Sequence, residues 1–478
     1  MREIERGDET FKLERLPLPC FPPARSALLC AFFCTTPPTP RGSAFPTLLP
    51  SLRCEPRSMA QPHPSSSSSA QPPSSPWVIL GSIPRVSALA DAGDVSVELA
   101  APPRVSILTV SPRVFPDPPT PRNFPFVLAA DPSGLLLLQA NLHCAPTREV
   151  IRRPGLQELS WKFATSRYFV LDATTGSAFH LPYPEATIMH QALLGLLVSP
   201  RGGGHYMVAE LQPIIGLDEA TLLCFSTEVG EWIEKTVHYP LPPRPLAPIC
   251  VVSHHGRLWW VDLSWGVITC DPFADEPVLG FVPFPPGRVL ECREGWGAAD
   301  KFRYVGVSGG KLRFVDMYMG KRAGAGVGGT HTPTPTVSVW TLGDPNSREW
   351  TLEQQASFTE IWADESYKAA GLPEKIPIVA LIHPKNPDVV YFFLEEHLFG
   401  VDMRARKVVE CQVYGLVAPP SIRLASRFVR AWELPRALSS SGEWSNGINL
   451  AESANARPYQ PSPGDYHLVG DTRQTFIG

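Results

Sequence analysis

The sequence predicts an all-β protein, a β-propeller-like array of about six four-stranded blades, inside the usual range of four to eight. Three observations predict it. Apolar residues fall in runs of strand length. Glycine, proline, aspartate and serine bound those runs. A turn pattern recurs between them at intervals near blade size, or a fraction or multiple of it. Proline makes up 54 of 478 residues, which argues against a mainly helical chain because an interior proline removes a helix hydrogen bond and clashes with the preceding turn.

The strands come in order as Arg104–Val110, Phe126–Ala130, Leu135–Ala140 and Tyr168–Leu171. Then follow His205–Leu211, Arg257–Leu263, Phe302–Val307, Val389–Leu394 and Val408–Tyr414. Their β-branched and aromatic content suits a pleated surface buried on both sides. Only Phe358–Ala370 reads as helical, stopped by Gly371–Pro373. A pair of packed β-sandwiches is the alternative architecture; a propeller is preferred because its radial sheets leave no long edge to protect.

The recurring turn pairs an Asp or Ser with a Gly four positions on: Asp172/Gly176, Ser226/Gly230, Asp262/Gly266 and Asp316/Gly320. A short oxygen-bearing side chain accepts from the turn's own N–H groups, and the glycine takes the positive φ that restarts the strand. Asp402/Arg406 breaks the glycine rule and is expected to use another turn.

Residues 1–76 stand apart. They hold 15 of the 54 prolines and a serine run, Ser65–Ser69, and are expected to be disordered. The short apolar run Ser26–Cys34 is far below the length of a membrane span. Met59 begins a stretch resembling an ordinary polar protein start, so residues 1–58 are expected to be absent from the mature protein. Residues 437–478 are expected to form a disordered tail beyond a single domain at 77–436.

The net charge of −4 and mixed acids and bases argue against nucleic-acid binding. Ser308, in Gly306–Gly310, matches the nucleophile elbow but lies between two strands, where the elbow needs a following helix. Gly324–Gly329 matches a dinucleotide fingerprint but opens no helix. His254 and His255 lie just before the Trp259–Trp260 strand; neighbours on a strand would point to opposite faces, so a loop position or satisfied hydrogen bonding is expected rather than shared ligation. No metal-ligand spacing completes a set with them. The aromatics Trp259, Trp260, Trp265, Phe273, Phe281 and Phe284 read as core, with Trp259 and Trp260 on opposite faces. The carboxylates Asp262, Asp271, Asp275 and Glu276 form no demonstrable glycosidase pair. Cys144, Cys224, Cys250, Cys270, Cys292 and Cys411 are scattered and read as reduced thiols. With no Asn-x-Ser/Thr acceptor, this suggests an intracellular protein of cytoplasm or nucleus.

One stretch resembles a known family. Arg257–Gly287, RLWWVDLSWGVITCDPFADEPVLGFVPFPPG, resembles the signature of a plant domain of unknown function, DUF 1618, expanded in grasses. The resemblance takes in Phe124–Leu138 and Gly371–Cys411, with the signature itself at about 255–400. Tyr168–Pro182 also looks like the repeats of F-box-associated propeller domains. The resemblance implies a propeller-like fold and brings no catalytic residues. No F-box pattern precedes Trp77, which argues against a ubiquitin-ligase receptor.

The sequence therefore assigns no catalytic, cofactor-binding or metal residue and no cofactor. It points to a non-catalytic protein-interaction scaffold with protein partners, no nucleic acid and no membrane. Residues 320–335 and Phe358–Ala370 are the expected seats of specificity. The alternatives are a hydrolase acting from the propeller's central mouth and an F-box-lacking adaptor in protein turnover.

Overall fold

The computed structural model describes residues 76–440 apart from short stretches, the longest being 291–298, 319–334 and 415–427. The expectations for residues 1–75, for the tail beyond 440 and for the inserted loop therefore lie outside the described residues.

The described chain is a β-propeller. It begins with β1 (Trp77–Gly81), β2 (Arg85–Val86), β3 (Val95–Glu98) and β4 (Val105–Val110). The first blade is β5 (Phe126–Ala130), β6 (Leu135–Gln139), β9 (Tyr168–Asp172) and β10 (Ser177–His180). Between β6 and β9 a separate hairpin is inserted, β7 (Thr147–Arg153) with β8 (Leu156–Lys162). The second blade is β11 (Gly195–Val198), β12 (Tyr206–Pro213), β13 (Glu219–Ser226) and β14 (Glu231–His238). The third is β15 (Cys250–His254), β16 (Arg257–Asp262), β17 (Gly266–Cys270) and β18 (Gly280–Pro283). A short helix, α1 (Ala299–Phe302), leads into the fourth: β19 (Arg303–Ser308), β20 (Lys311–Tyr318), β21 (Thr336–Leu342) and β22 (Trp350–Ser357). Helices α2 (Phe358–Ala363) and α3 (Glu365–Ala369) precede the fifth: β23 (Ile378–Ile382), β24 (Val389–Leu394), β25 (His397–Asp402) and β26 (Lys407–Val413).

The chain then returns to its beginning. β27 (Val429–Glu433) pairs antiparallel with β1, from Trp77 opposite Glu433 to Gly81 opposite Val429. A last short helix, α4 (Arg436–Ser440), follows. The sequence predicts about six four-stranded blades. Five sheets have that form, and a mixed five-stranded sheet, built from β1–β4 and β27 at the two ends of the described domain, closes the ring. Its β1–β4 pairing is parallel, unlike every pairing within the five blades.

The core lies between neighbouring sheets. Trp259 and Trp260 point to opposite faces of β16, as expected, and both are buried. Trp260 packs with second-blade residues such as Leu222 and Cys224. Trp259 packs with fourth-blade residues such as Phe314. Trp265 and Phe284 are buried too, and Phe273 and Phe281 are half-buried, so these rings fill the gaps between blades.

Three of the predicted turns join the third and fourth strands of a blade. The Asp172 carboxylate accepts from Thr174 N at 2.8 Å, and Gly176 takes φ 71°. Ser226 Oγ accepts from Glu228 N, and Gly230 takes φ 80°. Asp402 accepts from Arg404 N at 2.9 Å and Ala405 N at 2.8 Å. Arg406 there takes φ 58°, so this hairpin uses the same turn rather than another one. Asp262 makes its turn between second and third strands, accepting from Ser264 N at 2.9 Å. Gly266 has no positive φ; a Cβ there would lie 2.4 Å from Val282 O, so close strand approach is what requires glycine.

Asp316 corrects the pattern. It is buried within β20 and makes no turn. Its carboxylate accepts from Arg303 Nε at 2.9 Å and from Arg288 at 3.0 Å. Arg303 also donates to Leu263 O at 2.8 Å, so the network ties the third blade to the fourth. Burial pushes the Asp316 carboxyl up while both guanidinium groups pull it back.

The predicted helix over Phe358–Ala370 is two helices. Ser357 caps α2 by accepting from Thr359 N, and the Glu360 side chain accepts in return from Ser357 N, forming a capping box. Asp364 is extended, with ψ 144°, and caps α3 by accepting from Ser366 N at 2.9 Å. Gly371 at φ 68° ends the unit as predicted. Ser366 Oγ accepts from Val408 N, anchoring α3 to β26.

Removing one partner of a buried ion pair leaves an uncompensated charge, at a cost of about 3–5 kcal/mol. Asp316→Ala is therefore expected to lower the Tm by about 5 °C or more, measured by calorimetry. An unchanged Tm would show that the Arg303–Asp316 link contributes no stability between these blades.

Candidate functional site

The innermost strands of the blades line a central cavity of about 410 Å³. Residues of β5, β11, β15, β19 and β27 reach it, together with turns such as Asp131–Pro132 and Pro384. Its titratable lining includes Asp131, His254, His255, Arg303, Arg430 and Glu433.

Most of these groups have structural partners. Asp131 accepts from Ser133 N at 2.9 Å within its own turn. Arg303 is held by Asp316 and Leu263 O. Glu433 faces Lys385 at 3.5 Å. Arg430 Nε donates to Val127 O at 3.0 Å. No two of the lining carboxylates share a partner or a hydrogen bond among the described residues.

The histidines sit at a hairpin. His255 and Gly256 take φ 50° and φ 69°, the two positive values of a type I′ turn joining β15 to β16. The expected loop position holds for His255, while His254 ends β15. The His255 ring packs on that of His254, with centroids 4.1 Å apart. Burial, and then the charge of His255, lower the His254 pKa to about 4. No cluster of three metal-ligating side chains occurs among the described residues.

Ser308 ends β19, and Gly309–Gly310 form a second type I′ turn, with φ 55° and φ 68°. The Ser308 hydroxyl donates to His383 O at 2.6 Å, which binds the fourth blade to the fifth. The strand–turn–strand reading of Gly306–Gly310 therefore holds, and no helix follows to present Ser308 as a nucleophile. Gly324–Gly329 lie outside the described residues.

Asp262 is buried and accepts from Ser264 N and from Ala247 N at 3.1 Å. Asp271 accepts from Phe273 N at 2.9 Å in a turn. Cys224, Cys270 and Cys411 are free thiols, and Cys250 lies half-buried at the start of β15. Burial pushes the Cys224 and Cys270 thiols up to about 12, far from reactive thiolates. Cys144 and Cys292 lie outside the described residues. No helix among the described residues is long and apolar enough to cross a membrane.

A second concavity was not anticipated from sequence. It has a volume of about 280 Å³ and lies on the outer flank, between the first and second blades. Pro182, Tyr183 and Pro184, just past β10, form one wall. Trp232 of β14 forms the other, and its indole Nε1 donates to Pro182 O at 2.6 Å. The tryptophan ring also packs on Phe225, at 5.7 Å between centroids. The signal available in the sequence was the run PYPE at 182–185, rich in proline and aromatic character outside any strand.

Residues 260–391 match the model of a family described as protein of unknown function (DUF1618). No curated protein matches the chain. Among solved structures, the chain is similar to apo AztD from Citrobacter koseri, at 11% identity, over 62% of this chain and 72% of that one, with TM-score 0.28. It is also similar to a Synechocystis apocarotenoid oxygenase mutant, at 10% identity, over 52% of this chain and 56% of that one, with TM-score 0.27. The Nup133 β-propeller domain of Vanderwaltozyma polyspora matches at 8% identity, over 65% of this chain and 77% of that one, with TM-score 0.31. Likenesses this weak carry no argument about function.

Two half-buried histidines predict acid sensitivity. His383 Nδ1 accepts from Lys385 N and Asn386 N, both at 3.0 Å. Burial, helped by the charge of Lys385, lowers its pKa to about 4. For both His254 and His383 the folded pKa lies below the unfolded value, so the unfolded chain binds more protons between pH 6.5 and 4. Stability is expected to fall as pH drops through that window, by about 1–2 kcal/mol per histidine at pH 5. His383→Asn, which keeps an acceptor without titrating, should lose less Tm between pH 7 and 5. An identical loss in both proteins would refute the assignment to His383.

Proposed function

We propose that this DUF1618 domain-containing chain is a non-catalytic protein-interaction scaffold. The observation that carries the reading is where apolar side chains reach the surface. Of the twelve large apolar side chains exposed among the described residues, six fall between Phe179 and Val229. They belong to the outer strand of the first blade, the second blade and the connections around them. Contiguous exposed apolar groups mark contact surfaces, and here Phe179 packs beside Phe225 while Tyr183 packs on His180, on the flank between the first and second blades. The ring behind it is closed by the β1–β27 pairing, and scaffolds with exposed loops are what recognition commonly uses.

The central cavity supports the same reading against the hydrolase alternative. Hydrolysis requires a nucleophile and base, or two carboxylates, converging on one reacting atom. Asp131, Arg303 and Glu433 each have a structural partner instead. His254, with its pKa near 4, would be largely neutral at pH 7, but no nucleophile is hydrogen-bonded to its ring among the described residues. An adaptor in protein turnover differs from the proposed scaffold only in the identity of the partner.

The test is affinity purification of the full chain from native tissue, with mass spectrometry of what is retained. A partner retained stoichiometrically is the expected outcome, and crosslinks should fall on residues 179–234. A chain that purifies alone from every tissue that expresses it would refute the scaffold reading.

A further inference from the structure

The groove between the first and second blades has a chemistry that selects its occupant. Its walls are Tyr183, Trp232 and two prolines. Its other polar lining is Glu185, Glu231 and Glu234, all exposed. None of these three carboxylates has a cationic partner within 4 Å among the described residues. The nearest lysine in sequence, Lys235, is turned the other way. It donates to Pro272 O at 3.1 Å and Ala274 O at 2.8 Å on the third blade. Glu234 shares the Trp232 face of β14 and Glu231 lies at the rim, so the groove is bordered by carboxylates and has no lining lysine or arginine.

We propose that this groove binds an extended, proline-rich segment of a partner protein that carries arginine or lysine. Two features argue for that occupant. Aromatic walls take proline rings of a polyproline II helix, which arrives already extended and so loses little entropy on binding. Tyr183 has 54% of its surface exposed and its ring packs edge-on against His180, leaving a face open to solvent. The carboxylates then supply the charge complement for guanidinium or ammonium groups, and the aromatic faces add a cation–π attraction. The Trp232 indole N–H is already donated to Pro182 O, so the ring offers its face and edge rather than a hydrogen bond. That bond also fixes the two walls relative to each other, which reduces the cost of ordering the groove on binding.

This inference rests on the scaffold reading and adds the site and the partner's chemistry. The test uses the purified full chain and a fluorescein-labelled peptide of four Arg-Pro-Pro repeats, with four Glu-Pro-Pro repeats as control. Fluorescence anisotropy should show saturable binding of the arginine peptide and none of the glutamate peptide. Raising salt from about 50 mM to about 500 mM should weaken binding at least about fivefold. The double substitution Glu231→Gln with Glu234→Gln should weaken it about tenfold with no change in Tm. Tyr183→Ala, at an exposed position, should weaken it by a similar factor and leaves the Trp232–Pro182 bond in place. Absent binding, equal binding of both peptides, or variants that bind as well as the parent would overturn the inference.

The chain's own Arg457–Pro463, RPYQPSP, has the same chemistry. Peptide binding that appears only in Arg457→Ser with Pro458→Ser and Pro461→Ser would place that tail in the groove and overturn the partner assignment. A partner recovered from tissue but crosslinked away from 182–186 and 230–234 would overturn this inference while leaving the scaffold reading intact.

Discussion

The structure depends on one pairing, that of β27 with β1. Five backbone register pairs join residues more than 340 positions apart. Without them the closing sheet loses its innermost strand and the fifth blade loses a neighbour. Side chains reinforce the join on both flanks. The Trp432 indole donates to Asp131 O at 2.9 Å, and Arg430 Nε to Val127 O, both in the first blade. On the other side Lys385 of the fifth blade faces Glu433. A closed ring has no end blades whose faces must meet water, and its apolar blade faces are all covered by neighbours. The cost is kinetic: loop closure across nearly the whole domain must precede the contacts that reward it.

Buried charge serves both the blades and the joins between them. Arg313 bonds Thr341 and Glu353 within the fourth blade, whereas other buried polar groups link one sheet to the next. Asp316 with Arg303 and Arg288 links the third and fourth blades. Ser308 with His383 O links the fourth and fifth. Each is a directional contact inside an otherwise non-directional interface, so each fixes how one blade is rotated against the next. A sheet pair held only by interchangeable apolar contacts can slide at little cost, whereas a buried carboxylate with two guanidinium partners cannot.

Much of this was legible in the sequence, and the exceptions share a cause. Strands such as Phe126–Ala130 and Val389–Leu394 match the sequence reading to the residue, because their apolar runs are bounded by turn residues. Turns at Asp172, Ser226 and Asp262 were readable because the capping oxygen acts on its own neighbours. Asp316 has the same spacing to a glycine, yet its partner Arg303 approaches from the adjacent strand, which local spacing cannot report. The loop position of His255 was readable, but its positive φ was not, because residue type does not announce it. The same holds for the positive φ of Arg406. The break at Asp364 has a local cause, a second capping aspartate within an apparently continuous helical pattern. The mixed closing sheet needs both ends of the domain at once, and no window along the chain contains both.

The candidate sites divide along the same line. The central cavity is built from the first strands of the blades, whose residues also serve the blade interfaces, so its charged groups are engaged there. The flank groove is built from the outermost strands and from the segment leaving β10, where no further blade strand competes for the side chains. Outer strands carry little of the interblade packing: in β14 only Val237 is fully buried, whereas β12 buries five residues in succession. A ring of this kind therefore tolerates change on its flank far better than at its axis. Recognition chemistry can accumulate at Tyr183, Glu185, Glu231 and Glu234 without disturbing closure, which is the physical reason a scaffold of this fold would place its partner on the outside.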